Sequence, residues 1–374
     1  EDSGATNVYR QIIMMGPIYP VYLRDGEGNI LRKENGIVGD FGDGQVMGSD
    51  MVRPYLTQVN GIAEASMNTN KWVITNFSLN GFADFDIWDG LKATVNANIY
   101  SYQEKYTSTQ QPFYGFGHMS YPSGYVYKYN SSIFTQNYQQ LLKYNKRFGK
   151  HNVSLLAGHE SYKSNTDYLY ADRKNMFSYW GNQELNGATT YLSNGGYKVD
   201  YNTEGWIFRG LYDFDGKYFG QVSYRRDASS RFHPDHRWGN FYSFGGAWII
   251  TKEEWMKDVK WLNELKLKAS FGQNGNDNIG DFLYTDLYNI NKGDGNDITL
   301  TLSSIGNENI TWETITNINL GVEFQMFNNR LRGSVEYFYR KTTDMLSWVP
   351  VPLELGYSGS YYNVGDMSNK GVEM

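Results

Sequence analysis

VITNFSLNGFADFDIWDGLKATVNANIY runs from Val73 to Tyr100. Its first half puts Val73, Thr75, Phe77, Leu79, Gly81, Ala83 and Phe85 on one set of alternate positions. Asn76, Ser78, Asn80, Phe82, Asp84 and Asp86 hold the other set. Trp88-Asp89-Gly90 then reads as a tight turn. The alternation resumes with Leu91, Ala93, Val95, Ala97 and Ile99 against Lys92, Thr94, Asn96, Asn98 and Tyr100. A period of two on both sides of a turn predicts a hairpin of two long strands, each with an apolar and a polar face.

The same unit recurs along the chain. Tyr138, Leu142, Tyr144 and Phe148 lead through Gly149-Lys150-His151 to Val153, Leu155 and Ala157. Trp206, Phe208, Gly210, Tyr212 and Phe214 lead through Asp215-Gly216-Lys217 to Tyr218, Gly220, Val222 and Tyr224. Ile310, Trp312, Ile318, Leu320, Val322 and Phe324 lead through Phe327-Asn328-Asn329-Arg330 to Leu331, Gly333, Val335, Tyr337 and Tyr339. A pair with a longer connector spans Phe241 to Ile250 and Leu265 to Phe271. About ten strands are expected, with another opening at Lys370. Between hairpins the connections are read as long: Gln103 to Phe134, Tyr162 to Thr203, Asp227 to Gly239, Gln273 to Asn309, and Ser347 to Ser368. Short and long connections thus alternate, as in an outer-membrane barrel with short periplasmic turns and long outer loops. A compact soluble domain rarely carries loops of that length.

Composition agrees with that fold class. Mean hydropathy is −0.59, and no stretch approaches the roughly 18–20 apolar residues of a membrane helix. In a barrel only every second residue meets lipid, so a low mean is expected. Tyr (32) and Gly (40) are abundant and cysteine is absent, which excludes a disulfide scaffold, an Fe–S site and a thiolate zinc site. The net charge of −6 forms no basic patch for nucleic acid. Trp88, Phe148, Phe214, Tyr218 and Phe327 all fall at the short-turn ends, where an aromatic girdle would meet the headgroups. The fold class expected is an all-β, antiparallel, up-and-down transmembrane barrel. Val73, Phe77, Leu79, Leu91, Val95, Ile99, Leu320, Val322 and Val335 would face lipid. Asn76, Asn80, Asn96, Asn98, Asn319, Glu323 and Glu336 would face the interior.

Several segments resemble one family. SYRRDASSRFHPDHRWGNFYSFGGAW (Ser223 to Trp248), LKLKASFGQNGNDNIGDF (Leu265 to Phe282), and ITWETITNINLGVEF with FNNRLRGSVEYFYRKTTDML (Ile310 to Leu346) are similar to segments of SusC/RagA outer-membrane transporters. PIYPVYLRDGEG (Pro17 to Gly28) and NVGDMSNKGVEM (Asn363 to Met374) resemble further parts, in the family's order. The resemblance implies a plugged barrel of roughly 22 strands, of which residues 1–374 would be part. It also implies import energised through TonB, and a SusD-like surface lipoprotein as lid. No plug sequence or TonB box is recognised, so these and the remaining strands are expected elsewhere in a larger protein, whose middle would begin at Glu1.

No catalytic constellation stands out, so an enzyme is not expected. His233-Pro234-Asp235-His236 reads as a loop turn before a metal pair. Asn274, Asp277, Asn278 and Asp281, and Asp294, Asn296 and Asp297, offer oxygen ligands; polar turns are favoured over calcium, and no other cofactor is expected. The contact candidates are aromatic. Tyr114, Phe116, Tyr121, Tyr125 and Tyr127 crowd one connection, and Tyr168, Tyr170, Tyr179 and Trp180 the next. Flat rings with a polar handle suit sugar rings and peptide side chains, and equally suit packing against other loops or a lid. The expected function is import of oligomeric nutrients, glycan fragments ahead of peptides, in the Gram-negative outer membrane. A passive porin-like channel and a surface adhesive barrel are the alternatives.

Overall fold

The computed structural model describes residues 13, 22, 24–33, 36–37, 68–110, 123–177, 182–293, 295 and 297–374. Two short strands, β1 (Arg32–Lys33) and β2 (Gly36–Ile37), pair with each other. The long strands follow: β3 (Thr69–Trp88), β4 (Leu91–Gln110), β5 (Tyr125–Phe148), β6 (His151–Met176) and β7 (Ala188–Phe214). Next come β8 (Tyr218–Ser229), β9 (Trp238–Ile249) and β10 (Leu262–Asn276). A small hairpin of β11 (Leu287–Lys292) and β12 (Ile298–Ser304) precedes β13 (Glu313–Met326) and β14 (Leu331–Thr343). A second, of β15 (Leu346–Pro350) and β16 (Gly359–Asn363), precedes β17 (Met367–Glu373).

Eleven of these strands form one sheet in the order β17-β14-β13-β10-β9-β8-β7-β6-β5-β4-β3. Each neighbours the strand before and after it in sequence, apart from the two small hairpins, which stand outside the sheet. The meander of ten strands and an opening eleventh is therefore present.

The turns explain the hairpins. Gly90, Gly149, Asp215 and Gly216, and Phe327 to Asn329, all have positive φ, the conformation that tight hairpin turns require. At Gly90 a Cβ would lie 2.4 Å from the carbonyl oxygen of Asn145, so glycine is needed there for space as well as for its φ of 84°.

The chain forms two compact units, Glu1–Phe77 with Ser101–Phe134 and Thr166–Lys198, and Ser78–Tyr100 with Thr135–Asn165 and Val199–Met374. In the second unit the two faces separate by chemistry. Register carries one row through Tyr218, Trp248, Leu267, Val322 and Val335, all apolar or aromatic. The adjacent row runs Ala247, Lys268, Gly321, Glu336. On this polar face Lys268 bridges Glu323 (3.1 Å) and Glu336 (2.6 Å). Asn98 donates to Asn80, Asn96 to Gln139 (3.2 Å), and Asn319 to Ser270 (3.5 Å). Of the interior set read from sequence, Asn80, Asn96, Asn98, Asn319, Glu323 and Glu336 make bonds on the polar face, while Asn76 is an exposed residue of β3 in the first unit. The opposite face leaves Phe208, Val222, Phe244 and Leu320 exposed. A soluble protein would not leave a contiguous apolar band of this kind in water; a lipid-facing wall must.

The long connections are corrected. Residues 103–110 and 125–134 belong to β4 and β5, and residues 162–176 and 188–203 to β6 and β7. The reading from Gln273 to Asn309 contains the β11–β12 hairpin, and that from Ser347 to Ser368 contains β15–β16. Strands of 24, 26 and 27 residues (β5, β6, β7) far exceed the roughly 9–11 that cross a bilayer. The fading of the apolar face near Tyr102 marks where a strand leaves lipid. It does not mark where pairing stops, because the backbone ladder is indifferent to whether the outer side chains are polar.

Candidate functional site

Within the first unit, tyrosine and threonine at alternate positions keep β4 to β7 extended and turn their rings to one side. Nearer the turn, in the second unit, Asp84 accepts from Thr94 (2.7 Å) and Asn80 from Asn98, which fixes the facing pairs of the first hairpin. The same progression brings Trp72 opposite Tyr106, ring centroids 4.4 Å apart. Tyr106 meets Tyr129 at 5.4 Å and Tyr127 at 5.9 Å. Tyr129 meets Tyr168 (5.4 Å), Tyr127 meets Tyr170 (6.2 Å), and Tyr168 meets Tyr197 (5.1 Å). Seven rings from five consecutive strands make one surface. Their interplanar angles are mostly tilted, so the surface is stepped, with ring faces and edges both presented.

Two carboxylates border it. Glu104 accepts from the Tyr129 hydroxyl (2.7 Å) and from Tyr102 (3.4 Å). Asp172 accepts from Tyr125 (3.3 Å) and from Ser193. The Tyr127 and Tyr168 hydroxyls lie 3.2 Å apart. Burial, with the Glu104 bond, holds the Tyr129 phenol above its usual pKa; burial and the Tyr168 contact do the same for Tyr127. Both phenols stay protonated, and Tyr129 donates to Glu104. Beneath them, Val126 on the opposite side of β5 is fully buried against Met176 and Ala188, which anchors the platform.

Of the residues singled out from sequence, Tyr127, Tyr168 and Tyr170 are in this surface and Tyr125 is at its border. All four lie on strands, a correction to their placement in loops. The strands reach past the bilayer, so a position far from a turn is still paired. Tyr114, Phe116, Tyr121, Tyr179 and Trp180 lie outside the described residues. Sequence reasoning missed Trp72, Tyr106, Tyr129 and Tyr197. Continuing the period-two register beyond the apolar stretch would have found them.

A second cluster belongs to the other unit. Asp277 accepts from Tyr201 (2.7 Å) and Ser229 (2.6 Å). Arg231 donates to the Asp277 carbonyl (3.1 Å) and to Asp281 (3.3 Å), and lies over the Tyr201 ring at 4.4 Å. Phe232 and Ile310 are fully buried beside it, with Trp312 against Phe232 and Phe241. These bonds make the SSRF segment (Ser229 to Phe232) a fastening between connections. His233 and His236 form a hydrogen-bonded turn, His236 N–H to His233 C=O at 2.9 Å. Among the described residues no three His, Cys, Asp or Glu gather as a cation cage.

A concavity of about 820 Å³ lies on the polar face of the second unit, bordered by Asn145, Asn152, Gln221, Lys268, Asn319 and Glu336. Polar side chains alternate there with apolar ones such as Val153, Leu211 and Phe219.

Comparison with known proteins fits this geometry. A family model described as TonB dependent receptor-like, beta-barrel matches residues 20–374. A TonB-dependent receptor of Formosa agariphila is 28% identical over 337 residues, 87% of this chain and 32% of the relative. The TonB-dependent receptor SusC of Bacteroides thetaiotaomicron is 31% identical over 256 residues, 66% of this chain and 24% of its own length. Among solved structures, one titled as the RagAB peptide transporter superposes with a TM-score of 0.78 at 27% identity, covering 87% of this chain and 37% of that one. The chain spans about a quarter to a third of the length of the curated relatives it matches.

Proposed function

The chain belongs to the TonB-dependent receptor β-barrel family, of SusC-like type, and from that premise we propose that its protein imports oligomeric nutrients across the outer membrane using energy from TonB. Its place is the Gram-negative outer membrane, as for its relatives. The cargo we assign is glycan fragments. A SusD-like surface lipoprotein closes over them, and the short turns at Asp89-Gly90 and Asp215-Gly216 face the periplasm. The aromatic surface around Tyr127 and Tyr168 then lies at the outer end, where cargo arrives.

One observation carries the reading. The same meander that exposes an apolar band for lipid also carries the ionic polar face of Lys268, Glu323 and Glu336, and the β3–β7 strands continue to a ring-lined surface. A general-diffusion pore needs only the first two features; the third supplies affinity for an oligomeric cargo. The likeness to a structure titled a peptide transporter favours peptides as a second cargo class. Import calls for no catalysis and no cofactor; Asp277, considered for calcium, is engaged by two hydroxyls.

The test is uptake in the native host. Deleting the gene is expected to abolish growth on one class of oligomer, and disabling TonB should have the same effect. Uptake that persists without TonB would make this a passive channel. Full uptake after deleting the neighbouring lipoprotein would remove the lid from the proposal. Growth lost on oligopeptides alone would reassign the cargo.

A further inference from the structure

The aromatic surface is half-exposed, wide and unevenly charged. Its seven rings span four inter-strand steps, roughly 19 Å at about 4.8 Å each. That is room for an oligomer; a single small molecule would leave most of the rings uncovered. Trp72 and Tyr197 are the most open, at 52% and 57% exposure, and they lie at its two margins. A ligand laid across the strands would meet open faces at both ends and tilted rings between.

Charge decides what that ligand is. Glu104 and Asp172 border the rings, and among the described residues neither is joined to a lysine or arginine; their partners are hydroxyls. Lys128 pairs with Glu184, and Lys198 with Asp167, and both lysines occupy the alternate positions of β5 and β7, on the face away from the rings. Ring faces carry negative π density, which adds to the carboxylates and repels anions. Each tyrosine hydroxyl can still donate to or accept from a sugar hydroxyl.

Resting on the import reading above, we infer that this surface is a charge filter. It takes uncharged oligosaccharides by stacking sugar rings on Trp72, Tyr106, Tyr129 and Tyr168, and turns away oligomers bearing carboxylate or sulfate. Glu104 and Asp172 are the specificity-determining residues. They set the sign of the field without supplying most of the binding.

The experiment is calorimetric titration of the full-length protein in detergent. The probes are neutral hexasaccharides of glucose and xylose, a hexagalacturonate, and a hexapeptide of neutral composition. At least one neutral sugar should bind, and the galacturonate should bind at least about tenfold more weakly. Tyr106→Ala with Tyr168→Ala should weaken the neutral sugar by about tenfold or more, since each lost ring contact is worth up to a factor of ten. Tyr106→Phe with Tyr168→Phe keeps the faces and should retain most of the binding. Glu104→Gln with Asp172→Asn should narrow the gap between neutral and acidic sugars. Retained heat-modifiable migration on gels shows that each variant is folded. Tight galacturonate binding by the wild type, unchanged binding after ring removal, or binding of the peptide alone would overturn the inference. Charge-selective binding by a protein that fails to import would leave the filter standing and sink only the import reading.

Discussion

At the scale of single residues, the two faces of the hairpin make opposite demands. Val95 lies five residues from Gly90 on the apolar side, near the middle of the span, and is 41% exposed. Asn96 turns the other way and bonds Gln139. Val95→Arg is expected to cost about 2–4 kcal/mol in a lipid-supported unfolding titration, whereas Asn96→Arg should cost well under that. Equal costs would mean that the faces are misassigned. Glu253, beyond β9 at the short-turn end, accepts from Tyr218 (2.5 Å), Lys217 (2.9 Å) and the Trp248 indole (2.9 Å). The Tyr218 and Lys217 bonds hold its carboxyl below the usual range. A depressed carboxylate stabilises the fold fully above its unfolded pKa of about 4.3, and loses that contribution as pH falls through the folded value. The stability gap between the wild type and Glu253→Gln should therefore hold near neutrality and close in acid; a gap that widens in acid would contradict the assignment. The site was partly legible at this scale. Tyr127, Tyr168 and Tyr170 announce themselves by crowding, but Trp72 and Tyr106 sit apart in sequence and meet only through register. Their signal was a distance from a turn, and residue type alone does not carry it.

At the scale of elements, the hairpins were readable because turn chemistry and alternation reinforce each other. Asp215-Gly216 takes the positive φ that its composition suggests, and Phe214 pairs with Tyr218 across it. The far ends were not readable in the same way. Gln103 to Gln110 is polar on both faces, which resembles a loop, yet it is strand because its neighbours are strand too. A ladder is decided by the adjacent chain, which a linear reading does not hold in view. The fastening at Asp277 belongs to this scale, since it ties β7, the connection after β8 and the connection after β10. Asp277→Ala leaves the Tyr201 and Ser229 hydroxyls without their acceptor, a loss of roughly 1–3 kcal/mol for each one left unsatisfied in the interior. Hydrogen exchange should rise in residues 229–238 and 277–286 while the β13–β14 ladder stays protected. Exchange rising equally throughout would show a global loss and refute a local fastening.

At the scale of the whole molecule, sidedness follows from the proposal that short turns face the periplasm. An epitope tag at Asp215 should be hidden in intact cells and one at Tyr121 displayed; the reverse pattern would invert the protein. The order of the sheet has a consequence for descent. Every strand of the sheet beside a tight turn is bonded to its sequence neighbour, with no crossover. A hairpin can then be gained or lost as a unit: the flanking strands meet again in the same antiparallel sense, and the alternation of wet and greasy positions is undisturbed. Gaining or losing one strand would reverse the direction of everything after it. Lineages built on such a sheet therefore change girth most readily by twos, through duplication or deletion of gene segments that begin and end at the same margin of the membrane.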